Sequence, residues 1–232
     1  MSLFAIGDTH LSLSCDKPMD IFNGWSDYVE RLEENWKNCV GENDTVVING
    51  DFSWAMTLEQ AYEDFKFINA LPGKKLISKG NHDYWWSTKN KMDKFLLENH
   101  FDTVNILHNN AYIAGDFAVC GTRGWFFDAQ ENEQTDKKVL LREAGRLKMS
   151  IDEAKKTGLE PIVFLHYPPL TQTAVCHEIY DVLIEEGIKR CFYGHLHSAS
   201  TSRSVNSVVD GISFALISSD FLGFTPRLIE KY

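Results

Sequence analysis

The sequence has few cysteines, no long apolar run and no excess of positive charge, and each shortage excludes a class of protein. Its five cysteines are scattered and form no C-x-x-C pair, which argues against a disulfide framework or a thiolate zinc site. No apolar stretch approaches the ~20 residues that cross a membrane. Lysine and arginine number 23 against 33 aspartates and glutamates, a formal charge of −10. A broad surface for extended nucleic acid is therefore not expected.

The same features predict an ordinary globular protein of the cytoplasm. The chain has 232 residues and 44% hydrophobic content, which suits a single domain over residues 1–232 with a sizeable core. No repeat or low-complexity linker divides it. Scattered, unpaired cysteines fit a reducing compartment, and no apolar segment of signal-peptide length precedes Asp8. We therefore expect a cytoplasmic protein that does not engage membranes.

Short apolar runs alternate with amphipathic segments, and this pattern predicts an α/β fold. Strands are predicted at 3–6, 45–48, 75–78, 162–165, 190–193, 212–217 and 227–230. Helices are predicted at 25–40, 57–71, 86–99, 131–157 and 175–186, with Gly158 as the C-cap of the fourth. Three further β runs at 104–107, 111–114 and 117–120 are separated by turn residues, which favours an antiparallel meander.

Side chains that bind metals follow five of the predicted strands, at the point where each strand ends. The segments are Asp8-Thr9-His10, Gly50-Asp51, Gly80-Asn81-His82-Asp83, His166 and Gly194-His195-Leu196-His197. The carboxyl ends of strands are where open α/β sheets usually build their sites. Histidine nitrogens with Asp and Asn oxygens, and without thiolates, suit Mn, Fe, Zn, Co or Ni better than Mg or Ca.

Each segment alone also has an ordinary structural explanation. Gly-Asp and Gly-Asn-His-Asp segments are common polar turns, and a single histidine such as His166 is often a buried core residue. All five segments nevertheless occur in order, each at the end of a predicted strand. The joint pattern favours a metal site over five coincidences.

The five segments closely resemble the motif series of the calcineurin-like metallophosphoesterase superfamily: D-x-H, G-D, G-N-H-[E/D], a single H, and G-H-x-H. The resemblance extends from Asp8 to His197. It implies a four-layer αββα sandwich, in which two mixed β-sheets pack face to face with helices outside. It also implies two divalent or mixed-valence metal ions and a bridging hydroxide that attacks a phosphate monoester or diester in line.

The resemblance further implies a role for each motif residue. One ion would be held by Asp8, His10, Asp51 and His197, and the other by Asp51, Asn81, His166 and His195. In this scheme Asp51 bridges the two ions. His82 resembles the general acid that protonates the leaving group. Asp83 resembles its orienting partner, which would raise the imidazole pKa, whereas the nearby cations would lower it.

The sequence departs from the protein Ser/Thr phosphatases of this superfamily, which carry G-D-x-V-D-R-G and R-G-N-H-E. The corresponding segments read GDFSWAM from Gly50 and KGNHD from Lys79, so both phosphate-binding arginines are missing at those places. Trp54 stands where many relatives have a second aspartate. These differences weaken the interpretation as a protein phosphatase.

Two other features outside the metal motifs have alternative interpretations. Arg123 lies between glycines after a predicted strand and is a candidate to bind phosphate with two hydrogen bonds; a structural ion pair or a surface loop is the alternative. Tyr84, Trp85 and Trp86 either line the substrate cleft or form the apolar start of a helix.

The sequence therefore predicts a metal-dependent phosphoesterase that acts on a small phosphorylated substrate or nucleotide. A non-catalytic metal-binding or partner-binding scaffold of the same fold is the alternative. Such relatives typically lose metal ligands, whereas every ligand position is filled here. A dinuclear oxygenase site would need E-x-x-H pairs on facing helices, and no such pair stands at matching positions.

Overall fold

Two β-sheets and five α-helices make up the fold in the computed structural model, which describes residues 1–125 and 133–232. Side chains are described in these ranges except at residues 133–136. The strands are β1 Ser2–Ile6, β2 Thr45–Asn49, β3 Lys74–Ser78, β4 Val104–Ile106, β5 Tyr112–Ala114, β6 Phe117–Thr122, β7 Glu160–Leu165, β8 Arg190–Tyr193, β9 Val208–Val209, β10 Ile212–Leu216 and β11 Arg227–Lys231. The α-helices are α1 Tyr28–Cys39, α2 Tyr62–Ala70, α3 Lys89–Glu98, α4 Glu133–Lys155 and α5 His177–Glu185, and a short 3₁₀ helix covers Ser198–Arg203.

The first sheet has the strand order β11-β1-β2-β3-β4. Strands β1 to β4 are parallel, and β11 pairs antiparallel with β1 at the edge. All five residues of β2 are buried, as expected of a parallel strand covered on both faces. Because β1, β2 and β3 are parallel, their carboxyl ends meet at one edge of the sheet.

The second sheet has the strand order β5-β6-β7-β8-β10-β9. Its four central strands are parallel, and β5 and β9 pair antiparallel at the two edges. Alternate residues of each strand point to opposite faces. As a result, each sheet contributes one apolar face to a shared core and one to a core under its helices.

Three apolar clusters fill the spaces between the layers. Leu3, Val47 and Leu76 of the first sheet pack with Ile162 and Phe164 of the second, which places the two sheets face to face. The outer face of the first sheet packs against α1, α2 and α3, and that of the second against α4 and α5. The predicted αββα sandwich is confirmed.

The predicted antiparallel meander over residues 104–120 is wrong for its first strand. β4 pairs in parallel with β3 in the first sheet, with Ile106 opposite Ile77. Only β5 and β6 form the antiparallel hairpin, and they belong to the second sheet. The chain therefore crosses between sheets near Asn109, which has φ 57°. A three-residue apolar run fits either sheet, so its sequence does not select the partner strand.

Four helices begin later than their apolar periodicity predicts. Trp25 is buried in the core and Trp86 packs against it, although each precedes its helix. Apolar side chains in the entering loops therefore extended the periodic pattern. The predicted start of the fourth helix, at residue 131, lies outside the described residues. Gly158 has φ 75° and its N–H donates to the Lys155 carbonyl at 3.0 Å, which agrees with its predicted place after that helix. In the described ranges, every helix is too short or too polar to cross a bilayer.

Candidate metal centre

The predicted ligands lie where the carboxyl ends of both sheets meet. The Gly7 N–H donates to the Ile217 carbonyl at 2.7 Å, which joins the end of β1 to the end of β10. The buried Asn49 side chain donates through Nδ2 to the Leu165 carbonyl at 2.6 Å, which joins the ends of β2 and β7. These contacts hold the strand exits of the two sheets against each other, so loops from both can reach one space.

Sharp backbone turns direct the ligands into this space. Asp8, His10, Asp51 and His195 have φ angles of 58°, 46°, 47° and 71°, in the left-handed region that residues with a Cβ seldom adopt. Such conformations are concentrated at functional sites, where the surrounding structure enforces them. In an extended strand, Asp8 and His10 would be too far apart to share an ion; the turn brings them together.

Close backbone approach requires glycine at strand exits such as Gly80 and Gly194. A Cβ on Gly80 would overlap the Asp51 carboxylate and backbone nitrogen, and a Cβ on Gly194 would overlap the Asp8 carboxylate. The two aspartates are therefore packed directly against neighbouring main chain, which fixes where their oxygens lie.

The predicted ligands form two groups. Asp8, His10 and His197 each offer one atom within 4.8 Å of the others, and Asp51, His166 and His195 do the same. The Asn81 Oδ1 atom lies 2.7 Å from His166 Nε2 and 3.0 Å from His195 Nδ1, so it joins the second group. The structure thus brings all seven predicted metal ligands together, in the grouping that the resemblance implies.

Asp51 stands between the two groups. Its Oδ2 atom lies 3.7 Å from His10 Nε2 in the first group and 3.4 Å from His166 Nε2 in the second. Its Oδ1 atom accepts a hydrogen bond of 2.7 Å from the His82 backbone N–H. One carboxylate oxygen of Asp51 therefore faces a histidine from each group, as the resemblance implies for a bridging ligand. Asp8 Oδ1 also lies 3.3 Å from His197 Nε2 and 3.7 Å from His166 Nδ1.

The electrostatics of the centre suit bound cations. Burial, then the charge of Asp8, raises the pKa of Asp51 to about 8. Burial lowers the pKa of His10 and His166, and lowers that of His195 to about 3. Metal ligands must be deprotonated. The neutral imidazoles meet this condition, and a nearby cation would lower the pKa of Asp51 so that it binds as a carboxylate.

His197 differs from the other histidines of the centre. Burial lowers its pKa, but the Asp8 charge and a hydrogen bond to Asp220 outweigh this and raise it to about 10. Its Nε2 atom lies 3.3 Å from Asp8 Oδ1, so a cation bound there would have to displace the proton of this ring. His10 Nδ1 is buried without a hydrogen-bond partner in the described part of the chain. This orphaned nitrogen supports a fit to metal, because a neutral imidazole offers its lone pair to a cation.

His82 lies at the exposed side of the centre. Its ring centroid is 5.7 Å from that of His10 and 4.4 Å from that of Trp54. Its Nδ1 atom lies 3.3 Å from the Tyr84 hydroxyl. Burial, then the neighbouring His166, lowers its pKa to about 4, opposite to the rise expected from an Asp83 partner.

Asp83 contacts the main chain rather than the His82 ring. Its carboxylate accepts hydrogen bonds from the N–H groups of Phe52 and Gly80 at 2.9 and 2.7 Å, and from Trp85 Nε1 at 3.0 Å. Among the described residues, Tyr84 takes the place beside the imidazole that the sequence assigned to Asp83. The expected His82–Asp83 contact is therefore corrected: Asp83 fastens the 80–83 loop to the loop that carries Asp51.

The three aromatic residues after Asp83 separate in the structure. Trp85 is 2% exposed and packs in the core beside Phe52 and Phe65. Tyr84 is 52% exposed and lies beside His82. Cleft lining is therefore excluded for Trp85 and remains open for Tyr84.

Sequence reasoning missed several residues that contact the centre, among them Asp220 and Trp54. Asp220 accepts hydrogen bonds of 2.9 Å from His197 Nδ1 and from the Ser198 N–H. It follows the end of β10, so the strand-end rule that identified the ligands would also have identified it. Trp54 stacks on His10 with ring centroids 5.0 Å apart. Its side chain covers His10 with an aromatic face where relatives place an aspartate.

Arg123 lies outside both ligand groups. Its Nη2 atom is 3.7 Å from Glu143 Oε1, and its guanidinium lies over the Trp125 ring at 4.7 Å. It lines a separate cavity of about 210 Å³. The structural ion pair foreseen as the alternative for Arg123 is present, and the side chain also faces a space that can hold a ligand.

Two joined sheets with a cluster of His, Asp and Asn side chains at their common edge define an α/β protein with a candidate metal centre. A sequence model of the calcineurin-like phosphoesterases matches residues 1–199, and the chain belongs to that family. It is a metal-dependent phosphoesterase, as its sequence predicts.

Solved structures with the same fold are distant in sequence. A phosphopantetheinyl hydrolase (PptH) from Mycobacterium tuberculosis is 12% identical, with a TM-score of 0.55 over 100% of this chain and 96% of that one. The protein TT1561 of Thermus thermophilus is 13% identical, with a TM-score of 0.53 over 84% and 81%. A protein of unknown function, AQ665 from Aquifex aeolicus, is 16% identical, with a TM-score of 0.50 over 98% and 95%. Among curated proteins, none matches significantly.

Proposed function

We propose that this phosphoesterase uses two metal ions to hydrolyse a monoester or diester of a small phosphorylated substrate or nucleotide. The observation that carries the proposal is the position of the Asp51 Oδ2 atom, between a histidine of the first ligand group and a histidine of the second. A single-ion site would not need a carboxylate shared by two complete groups.

Each ligand group would hold one ion, and its donor chemistry suits Mn, Fe, Zn, Co or Ni. The first site would use Asp8, His10, Asp51 and His197, and the second Asp51, Asn81, His166 and His195. When bound, such a pair polarises the phosphoryl oxygens and lowers the pKa of a water that attacks phosphorus in line. The buried protein groups fix the positions of the ligands and exclude other water.

His82 is the candidate proton donor to the leaving group. It lies half-buried beside Tyr84 and Trp54, and the Asp51 carboxylate fixes its backbone N–H. Asp83 would act through this loop as a positioning residue. Arg123 is not required in this step, because its guanidinium lies against Glu143 and Trp125.

The proton-donor role is tested by changing the leaving group. We expect His82→Ala to retain both metal ions and to lose about 10²–10⁴-fold in kcat on an alkyl phosphate, the usual contribution of general acid catalysis. The loss on p-nitrophenyl phosphate should be far smaller, because that leaving group departs without a proton. Equal losses on both substrates would contradict the role.

The two-metal proposal is tested by metal analysis followed by a substrate panel. Protein loaded with each candidate metal should contain two ions per chain and hydrolyse p-nitrophenyl phosphate or its bis-ester. Asp51→Asn should lose bound metal and activity together, whereas Asp93→Asn, a change on the exposed helix α3, should lose neither. One ion per chain at full activity would overturn the dinuclear site.

Stoichiometric metal without turnover on any phosphoester would instead favour the scaffold alternative. The panel should include a phosphopantetheinyl ester, because one of the similar structures is a phosphopantetheinyl hydrolase. We further propose that residues 1–232 act as one domain in the cytoplasm, since its five free cysteines fit a reducing compartment.

A further inference from the structure

A cationic cavity lies along the same strand edge as the metal centre. It has a volume of about 210 Å³. Lys79 contributes from the end of β3, His108 from the loop after β4, and Arg123 from the end of β6. Arg142 and Arg146 contribute from one face of helix α4, four residues apart. The cavity is therefore assembled from both sheets and a helix, rather than from one flexible surface segment.

The cavity carries more positive charge than its own carboxylate neutralises. Four cations, Lys79, Arg123, Arg142 and Arg146, face one acidic residue, Glu143. Glu143 is fully buried and holds Arg146 Nη1 at 2.7 Å, with Arg123 Nη2 at 3.7 Å. This carboxylate orients two arginines but leaves an excess of cationic charge around the space.

Several donors in the cavity lack partners in residues 1–125 and 137–232. Lys79 and Arg142 have neither an ion pair nor a hydrogen bond there, and the buried Arg123 Nε has no acceptor. Lys79 and Arg123 are partly buried, and partly buried cations without a close anion are costly. A bound anion would satisfy them and would also attract the exposed Arg142.

The cavity is close to the metal centre through two short connections. Lys79 precedes Asn81 by two residues, so their Cα atoms are at most about 7.6 Å apart. The Arg123 carbonyl accepts a hydrogen bond of 2.9 Å from the N–H of Tyr167, the residue after His166. The cavity and the metal centre are therefore neighbours along this edge, and a substrate that spans both would place one group at the metal ligands and another among these cations.

We propose that this cavity binds a second phosphoryl group of the substrate, so that the enzyme prefers small molecules carrying two phosphates over those carrying one. This inference rests on the proposed phosphoesterase function. A phosphate group carries about −1.5 to −2 charges at neutral pH, which matches the excess of cations better than a single carboxylate would. Arginines favour phosphate because their N–H groups can bind it in pairs.

The test compares two substrates that differ by one remote phosphate. Manganese-loaded protein is assayed with adenosine monophosphate and with an adenosine bisphosphate that carries an additional phosphate on the ribose. We expect kcat/KM for the bisphosphate to exceed that for the monophosphate by about tenfold or more, the value of one charge-assisted hydrogen bond. Equal values in the wild-type protein would overturn the proposal.

Variants locate the preference in the cavity. Lys79→Gln/Arg142→Gln should lower the bisphosphate-to-monophosphate ratio of kcat/KM by about tenfold. Arg142→Gln alone, at an exposed position, should lower it about threefold without risk to the fold. Lys148→Gln removes a cation from the same helix that pairs with Glu186 outside the cavity, and it should keep the wild-type ratio. A preference that survives both cavity variants would contradict the assignment.

A binding measurement separates this inference from the proposed function. If the manganese-loaded protein hydrolyses neither nucleotide, the affinities of both are measured by calorimetry on the same proteins. Tighter binding of the bisphosphate, lost in Lys79→Gln/Arg142→Gln and kept in Lys148→Gln, would support the cavity even though catalysis had failed. Equal affinities would reject it.

Discussion

At the scale of single residues, the metal centre depends on aspartates with clearly different environments. Asp8 and Asp51 lie among the ligand groups, Asp83 holds a loop, and Asp220 supports His197 from outside. Burial raises the pKa of Asp83 to about 7, with a further rise from Asp51. The same residue type therefore serves as ligand, loop anchor and positioning group, according to which donors surround it.

Asp220→Asn should weaken metal binding without removing a ligand. Asp220 accepts the His197 Nδ1 hydrogen bond and so fixes the ring that presents Nε2 to the first site. Loss of such outer partners typically costs about 10–100-fold in metal affinity or activity. Competition with a chelator measures the affinity of the weaker site. Asp116→Asn, at an exposed turn, is the matched control and should leave that affinity unchanged.

Asp64 should make the stability of the protein depend on pH. Burial raises its pKa from 3.8 to about 6, even though Leu13 N–H and the Ser53 hydroxyl donate to it. The folded state thus binds this proton more tightly than the unfolded state. Protonated Asp64 therefore adds to the free energy of unfolding. This stabilisation is fully present below pH 3.8 and is lost as the pH rises through about 6.

Urea titrations of the wild type and Asp64→Asn check the direction. The free energy of unfolding of the wild type, relative to the variant, should fall by about 3 kcal/mol as the pH rises through this window. An increase over the same window would show that the carboxylate is ionised and stabilising in the folded protein. The metal ligands titrate in the same way in both proteins, so their effect cancels in the difference between the two free energies of unfolding.

At the scale of elements, the strand exits determine the site. The turn after β1 gives Asp8 and His10, and the exit of β3 brings Gly80 against Asp51. These exits could be predicted because a polar cluster after an apolar run is a local signal. The partner of β4 could not, because pairing with β3 is a choice between two sheets made by tertiary packing. The sequence placed Asp83 in the loop of the site but did not identify its hydrogen-bond partners, because these depend on side-chain geometry.

Gly80→Ala should displace the Asp51 carboxylate and so disturb both metal sites. The added Cβ overlaps Asp51 side-chain and backbone atoms, which cannot move aside freely. We expect metal content to fall below two ions per chain and activity to fall with it. Gly145→Ala is the control, since a Cβ there meets nothing within 4 Å inside helix α4.

Gly145→Ala should raise the free energy of unfolding by about 1 kcal/mol, because alanine favours a helix more than glycine does. Elemental analysis and urea titration of both variants distinguish the outcomes. Full metal content in Gly80→Ala would mean that the loop relaxes without moving Asp51.

At the scale of the whole molecule, each ligand group draws on both sheets. Asp8 and His10 follow a strand of the first sheet, whereas their partner His197 follows a strand of the second. Asp51 in the other group likewise comes from the first sheet, and His166 and His195 from the second. A bound ion therefore fastens one sheet to the other, in addition to the apolar core between them.

Metal loading should accordingly stabilise the entire fold. A ligand at 100 times its dissociation constant adds about 2.7 kcal/mol to the free energy of unfolding, which for a chain of this size raises Tm by about 5–10 °C. Thermal unfolding with manganese and with a chelator measures the shift. Asp51→Asn should show a much smaller shift, and an unchanged Tm in the wild type would contradict metal bridging of the sheets.

The contact between the His195 N–H and Asp8 closes a loop of 187 residues, and this has a consequence during synthesis. At about 5–20 residues per second, the first ligand leaves the ribosome roughly 10–40 s before its last partners exist. Through that interval, Asp8 and His10 lack the geometry that distinguishes one metal from another. Selection of the ion therefore has to wait for the finished chain, in which all the ligands of a group are first present together.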